Sequence, residues 1–295
     1  MSLVVRNELT DDEVAAVLAL TAEAARADGV RPVGESALLR LRDGGGAVLA
    51  YDGDALAGVA VLDGDAGELT VHPAFRRRGH GRALVTALAG QVETLNVWAH
   101  GELPGAIALA EAVGFERFRA LWKMERPAGA PLPEVAPPPG VRLRTFTPGR
   151  DEDAWVRVNA RAFAHHPEQG RWTRADLERR EREPWFSAEG FFLAVRDDAA
   201  EDEAGGGLLG FHWTKVHDDG PIGEVYVVGV DPSAQGLGLG RVLTVTGLRH
   251  LESRGLPAVM LYVDESNTAA TALYTRLGFE LRSTDAMYRN SRSTR

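Results

Sequence analysis

Residues 71–82 read VHPAFRRRGHGR, and residues 230–241 read VDPSAQGLGLGR. Each run closes a strand-like segment with V-x-P, places two glycines at the same spacing and ends on arginine. A second element recurs downstream of each, as Val113-Gly114-Phe115-Glu116 and Leu277-Gly278-Phe279-Glu280. Two separated matches in the same order mark an internal duplication, which restricts the chain to two copies of one fold. The length of 295 residues agrees, at about 150 residues per domain. The glycine runs lie 159 residues apart while the copies start about 138 apart, so the second copy carries about twenty extra residues before its run.

Between the copies, residues 127–140 read PAGAPLPEVAPPPG, six prolines in fourteen positions. Proline fixes φ and lacks an N–H, so this run predicts a semi-rigid linker. The expected domains are therefore 1–126 and 141–295. In the first, Thr10-Asp11-Asp12-Glu13 is a capping box opening a helix to about Arg26, with Gly29 as its stop. A short helix at 35–42 leads to strands at 47–51, 55–62 and 68–72, with Asp52-Gly53-Asp54 as a hairpin turn. A helix at 81–91, a strand near 93–99 and a helix near 105–113 follow. The second copy repeats the order: strand 142–147, helices 151–163 and 173–182, then strands 191–195 and 208–216 joined by the acidic loop 197–207. Strand 223–230, helix 240–254, strand 258–263 and helix 268–277 complete it.

A strand that ends in glycines and enters a helix brings backbone N–H groups and a positive helix terminus towards a ligand, which suits a pyrophosphate. A P-loop needs G-K-[ST] at the helix start, but Gly240 is followed by Arg241-Val242. A Rossmann site needs an early parallel βαβ unit, whereas an antiparallel meander precedes this motif. Taken alone, the glycines are also compatible with a tight strand-to-helix turn.

Together with the downstream pattern, they resemble the GNAT acetyltransferases. The signature [QR]-x-x-G-x-[GA] is met by Gln235, Gly238 and Gly240 and by Arg76, Gly79 and Gly81, and N-x-x-A-x-x-x-Y-x-x-x-G-F by Asn267, Ala270, Tyr274, Gly278 and Phe279. The resemblance implies an α/β (α+β) fold of two tandem GNAT domains, each a mixed, mostly antiparallel sheet flanked by helices. It implies acetyl-CoA as co-substrate. Its pyrophosphate would lie on Gln235, Gly236, Leu237, Gly238, Leu239, Gly240 and Arg241, and its pantetheine arm along Val228, Gly229 and Val230. Asn267, Thr268, Ala269, Ala270, Thr271 and Ala272 would flank it. In the first copy the corresponding residues are Leu69, Thr70, Val71, Arg77, Arg78, Gly79, His80, Gly81 and Arg82.

The copies are unequal. Aligned on G-F-E, Tyr274 corresponds to Ala110 and Asn267 to Leu103, while Glu224 corresponds to Asp65. The second copy is therefore expected to catalyse, and the first to bind acetyl-CoA or complete the structure. Strand alternation places Glu224, Tyr226, Val228 and Val230 on one face, which suits Glu224 as general base for an amine. Its bland alternative is a solvated strand-edge carboxylate. By resemblance Tyr274 is the acid beside the leaving sulfur; its alternative is a core aromatic. Residues 28–35, 165–170, 211–217 and 223–232 resemble a tandem GNAT branch that acetylates the cysteinyl amine of a cysteinyl-glucosaminyl-inositol. That likeness implies substrate contacts from Glu35, Glu168, Lys215, Glu224 and Tyr262, with Glu35 placing substrate between the domains. Acetylation of another small amine or peptide, or a non-catalytic acetyl-CoA sensor, are the competing functions.

Composition narrows the rest. Without cysteine there is no disulfide, thiolate metal site or acyl-cysteine, so direct attack in a ternary complex is expected. The adjacent His165 and His166 have no carboxylate spacing beside them, and no metal is expected. A net charge of −9 argues against nucleic-acid or anionic-membrane partners. No basic-then-apolar leader or long apolar run is visible, so a cytoplasmic monomer is expected.

Overall fold

The computed structural model describes residues 1–166, 169–198, 207–217 and 220–290. The chain begins β1 (Ser2–Glu8), α1 (Asp11–Asp28), α2 (Glu35–Arg42), β2 (Gly45–Asp52), β3 (Ala55–Asp63), β4 (Ala66–Val71), α3 (His80–Ala89), β5 (Asn96–Ala99), α4 (Pro104–Val113) and β6 (Phe115–Pro127). It continues β7 (Val141–Thr145), α5 (Glu152–Ala162), α6 (Arg174–Glu181), β8 (Phe191–Arg196), β9 (Leu208–Val216), β10 (Ile222–Val230), α7 (Leu239–Ser253), β11 (Ala258–Asp264), α8 (Thr268–Arg276) and β12 (Glu280–Asn290). Two compact units result.

Unit 1 comprises Met1–Trp122, Asp264–Ser266 and the stretch from Ser283, with strand order β1-β2-β3-β4-β5-β12. The capping box closes as expected: Glu13 N–H donates to Thr10 Oγ1 at 3.3 Å and Thr10 N–H to Glu13 Oε2 at 3.1 Å. Gly29, at φ 69°, ends α1. Spacing of three and four residues turns Val17, Leu20, Thr21 and Ala24 inward. Val17 and Leu20 join a core with Val33, Leu41, Leu49 and Val59 on one sheet face, while Leu84, Val85 and Leu88 of α3 pack with Val48, Ala50 and Ala60 on the other.

Unit 2 comprises Lys123–Val263 and Asn267–Arg282, with strand order β11-β10-β9-β8-β7. Trp155 and Val158 of α5 pack with Phe191, Phe211 and Trp213 on one face. Leu239 and Leu243 of α7 cover Leu209 and Ala194 on the other. His212 lies fully buried against α7, where Gly247 leaves room for its ring. Its Nδ1–H donates to the Leu243 carbonyl at 2.8 Å, and burial pushes its pKa down to about 4, so it is neutral.

The unit boundaries differ from the expected halves. Unit 1 takes its last strand from the end of the second copy: β12 pairs antiparallel with β5, from Ala286 opposite Ala99 to Arg289 opposite Asn96. The proline-rich run belongs to unit 2. There the fully buried Arg126 donates to the carbonyls of Leu277, at 2.8 Å, and Ala130, and pairs with Glu252 at 2.6 Å. Arg249 donates to Pro133 O at 3.0 Å. The acidic loop 197–207 lies largely outside the described residues. Strand β1 was not expected; its mostly exposed edge position leaves little apolar alternation to read.

Candidate active site

Unit 2 opens at the middle of its sheet. Strand β10 pairs with β11 in parallel from Ile222 opposite Ala258 to Val225 opposite Leu261. It pairs with β9 all the way to Val230 opposite Gly210. The parallel ladder therefore stops halfway along β10, and the edge of Val227–Val230 that faces away from β9 has no ladder partner in β11. Unpaired strand N–H and C=O groups call for a partner. A packed interior fixes the glycine here, because a Cβ on Gly229 would stand 2.7 Å from Phe211 Cζ.

A β-bulge sits at the same point. The register with β9 shifts between Val225 and Val227, so Tyr226 is the extra residue. The bulge overturns the simple alternation of the sequence reading. Glu224 pairs with Lys215, Val227 with Trp213 and Gly229 with Phe211, on the α5 face; Val225, Val228 and Val230 pair on the α7 face with Thr214, His212 and Gly210. Glu224 and Tyr226 thus share a face with each other, but not with Val228 and Val230. In unit 1, β4 pairs with β3 without a bulge, and Ala66, opposite Asp63, holds the register of Glu224 opposite Lys215. Asp65 is therefore not the counterpart of Glu224; it accepts a hydrogen bond from Asn96 Nδ2 at 2.9 Å.

Glu224 is 7% exposed and Lys215 8%. Buried charges need close partners. The Lys215 ammonium stands 4.2 Å from the Trp185 ring centroid and 5.2 Å from that of Tyr226, within cation–π range. Tyr226 is itself held, its hydroxyl accepting from Arg180 Nε at 2.8 Å. Glu224 Oε2 lies 2.7 Å from His217 Nε2. His217 is not among the residues that the sequence motifs assign to catalysis or acceptor binding. Alternation points to it, since His217 follows Lys215 by two residues, just past the end of β9, and Lys215 stands opposite Glu224. Tyr262 follows two residues after Met260, which pairs with Glu224, and is exposed. Tyr274 of α8 is 9% exposed, packs edge-on to Phe279 and has its pKa pushed up to about 12 by burial. Asn267 caps α8, its Oδ1 accepting from Ala270 N–H at 3.1 Å. Glu35 opens α2 in unit 1. Glu168 lies outside the described residues.

After Val230 the chain turns through Pro232–Ala234. Asp231 Oδ1 accepts from Ser233 N–H at 2.9 Å and Oγ at 2.7 Å, and Asp231 pairs with Arg161 at 2.6 Å. Burial acts to raise the Asp231 pKa, but these partners hold it below the usual carboxylate range. Gly236 and Gly238 then adopt φ 85° and 75°, and no side chain caps α7. The first-turn N–H groups are left for an anion. A Cβ at either glycine would meet nothing within 4 Å, so backbone conformation, not crowding, demands glycine. A pyrophosphate fits these features.

Unit 1 repeats the turn residue for residue. His72 Nδ1 accepts from Ala74 N–H at 3.1 Å where Asp231 accepts from Ser233. Gly79 adopts φ 91°, and α3 likewise has no side-chain cap. Arg77 keeps the left-handed conformation of Gly236, at φ 62°, despite its side chain. Arg78 pairs with Asp52 at 3.0 Å, and Arg76 makes two bonds to Asp28 at 2.7 and 2.8 Å. Strand β4 parts from β5 beyond Gly67. Among the described residues no group of three or more His, Cys, Asp or Glu is placed to hold a metal ion, and no helix is long and apolar enough to cross a membrane.

Two strand–turn–helix cradles, each beside a parting pair of parallel strands, define a tandem acetyltransferase of the GNAT class. The acetyltransferase (GNAT) family model matches residues 158–279, and a GNAT domain model matches residues 43–117. A GCN5-related N-acetyltransferase structure from Sphaerobacter thermophilus is similar over 97% of this chain and 95% of its own, with TM-score 0.67 and 26% identity. Mycothiol acetyltransferase of Thermomonospora curvata is 57% identical, covering 98% of this chain and 97% of its own. That of Thermobispora bispora is also 57% identical, covering 97% of this chain and all of its own. The chain belongs to the mycothiol acetyltransferase family.

Proposed function

We propose that this chain transfers the acetyl group of acetyl-CoA to the cysteinyl amine of desacetyl-mycothiol, a cysteinyl-glucosaminyl-inositol, giving mycothiol and CoA. The relatives supply the substrate class. The observation that carries the chemistry is the buried carboxylate of Glu224 on the strand that parts from β11. Acetyl-CoA supplies the thioester; the chain orients it and handles protons. Amides of the glycine turn and of the first turn of α7, from Gln235 to Arg241, take the pyrophosphate, and the open edge of Val228–Val230 takes the pantetheine amides. Residues 267–272 flank the cofactor. Glu224 accepts the proton of the attacking amine. Such an amine has a reference pKa of about 7.7–8.0, so part of it is neutral near pH 7 and a carboxylate suffices. Tyr274, kept as a neutral phenol by burial, protonates the departing thiolate. Lys215 and Tyr262 contact the acceptor. With no cysteine in the chain, the acetyl group passes directly to the amine.

In this division of labour unit 1 keeps a cradle but has Ala110 where unit 2 has Tyr274, and it does not catalyse. Disrupting Gly79 and Gly81 leaves kcat nearly intact. The test of Glu224 is Glu224→Gln across the pH range. Turnover falls most at low pH, where the amine is charged; an unchanged pH–rate profile removes Glu224 as base.

A further inference from the structure

His217 lies just past β9, its backbone N–H donating to the Ile222 carbonyl at 3.1 Å across the hairpin. Its Nε2 is 2.7 Å from Glu224 Oε2, and each side chain is 9% exposed. An ionised carboxylate only accepts, so the shared proton resides on Nε2, which donates to Oε2. That bond occupies one carboxylate oxygen and leaves Oε1 to be aimed elsewhere. Glu224 sits on β10 directly opposite Lys215 of β9, and His217, one residue past the end of β9, is tied to β10 through its N–H bond to the Ile222 carbonyl.

We propose that His217 is the positioning residue of the acyl transfer: it holds Glu224 by Oε2 so that Oε1 faces the acceptor amine. This rests on Glu224 acting as the base. As the amine nitrogen bonds to the acetyl carbon, its proton moves to Oε1 while Nε2–H remains on His217. The carbon–sulfur bond breaks and the thiolate takes the phenol proton of Tyr274. Glu224 then returns its proton to water and Tyr274 recovers one from water, so no net proton is held.

The test compares His217→Ala, His217→Gln and Glu224→Gln, measuring kcat and the KM of acetyl-CoA with and without added imidazole. Removing His217 lowers kcat about ten- to a hundredfold, the range of a hydrogen bond to a charged group, and leaves the acetyl-CoA KM within about twofold. His217→Gln, which keeps an N–H donor, retains more activity than His217→Ala. Imidazole restores part of the loss in His217→Ala and none in Glu224→Gln. An active His217→Ala beside an inactive Glu224→Gln overturns the positioning role alone; an active Glu224→Gln overturns the base assignment beneath it. Should His217→Ala fail to fold, His217→Leu, which fills the space without a donor, takes its place: a kcat at least about tenfold below that of His217→Gln supports the positioning role, and equal kcat in the two overturns it.

Discussion

In unit 1, His100 lies between two carboxylates, with Nδ1 2.9 Å from Asp285 Oδ2 and Nε2 3.3 Å from Glu68 Oε2. Asp285 also accepts from Gly101 N–H at 2.8 Å, and Glu68 accepts from Gly34 N–H. Burial disfavours the imidazolium, but the hydrogen bonds and charges of Asp285 and Glu68 outweigh it and push the His100 pKa up to about 10. A group raised on folding stabilises fully below its unfolded value and ceases to do so above its folded one. The stabilisation is therefore whole below pH 6.5 and lost as pH rises through about 10. At about 1.36 kcal/mol per pH unit the full effect is roughly 5 kcal/mol, an upper bound that solvent relaxation lowers. The assay is urea denaturation of the wild type and of His100→Gln across that window. Their difference isolates His100 from every other titrating group. Wild type should lose stability steeply while His100→Gln stays comparatively flat. Parallel pH dependences would refute the reasoning, because the imidazolium would then contribute nothing.

Three further outcomes follow from the geometry. Tyr274→Phe lowers kcat about tenfold or more and leaves acetyl-CoA affinity, read by calorimetry, nearly unchanged; lost affinity instead would make Tyr274 a packing residue. Gly236→Ala costs about 1–2 kcal/mol in denaturation and raises the acetyl-CoA KM, because its φ of 85° suits glycine; Arg77→Gly is stabilising or neutral, and the opposite signs would contradict the backbone argument. A chain ending at Arg282 loses the part of β12 that pairs with β5, baring β5 and removing the buried Ala286. Its soluble yield should collapse or its apolar dye binding rise, and unchanged solubility and stability would show that β12 is dispensable.

The cradles were legible because their signal is local. Left-handed backbone selects glycine at Gly79, Gly236 and Gly238, and a duplicated pattern repeats that selection. Capping at Thr10 was legible for the same reason. The bulge at Tyr226 was not, because period-two reading assumes an unbroken ladder; one extra residue moved Glu224 to the opposite face from Val228 and removed Asp65 as its counterpart. The pairing of β12 with β5 joins segments nearly two hundred residues apart, and hydrophobic alternation carries no record of which strand a neighbour will be. Arg126 shows a third limit: its exposed-looking charge is fully buried by carbonyls and a glutamate that only the fold assembles.

The central claim is acetyl transfer to one acceptor, and it is tested most directly by mixing the full chain with acetyl-CoA and desacetyl-mycothiol, following free CoA and the mass of the product. The account predicts stoichiometric CoA release with a single acetyl group on the cysteinyl amine. Absence of turnover with this acceptor, alongside turnover with other small amines or peptides, would contradict it.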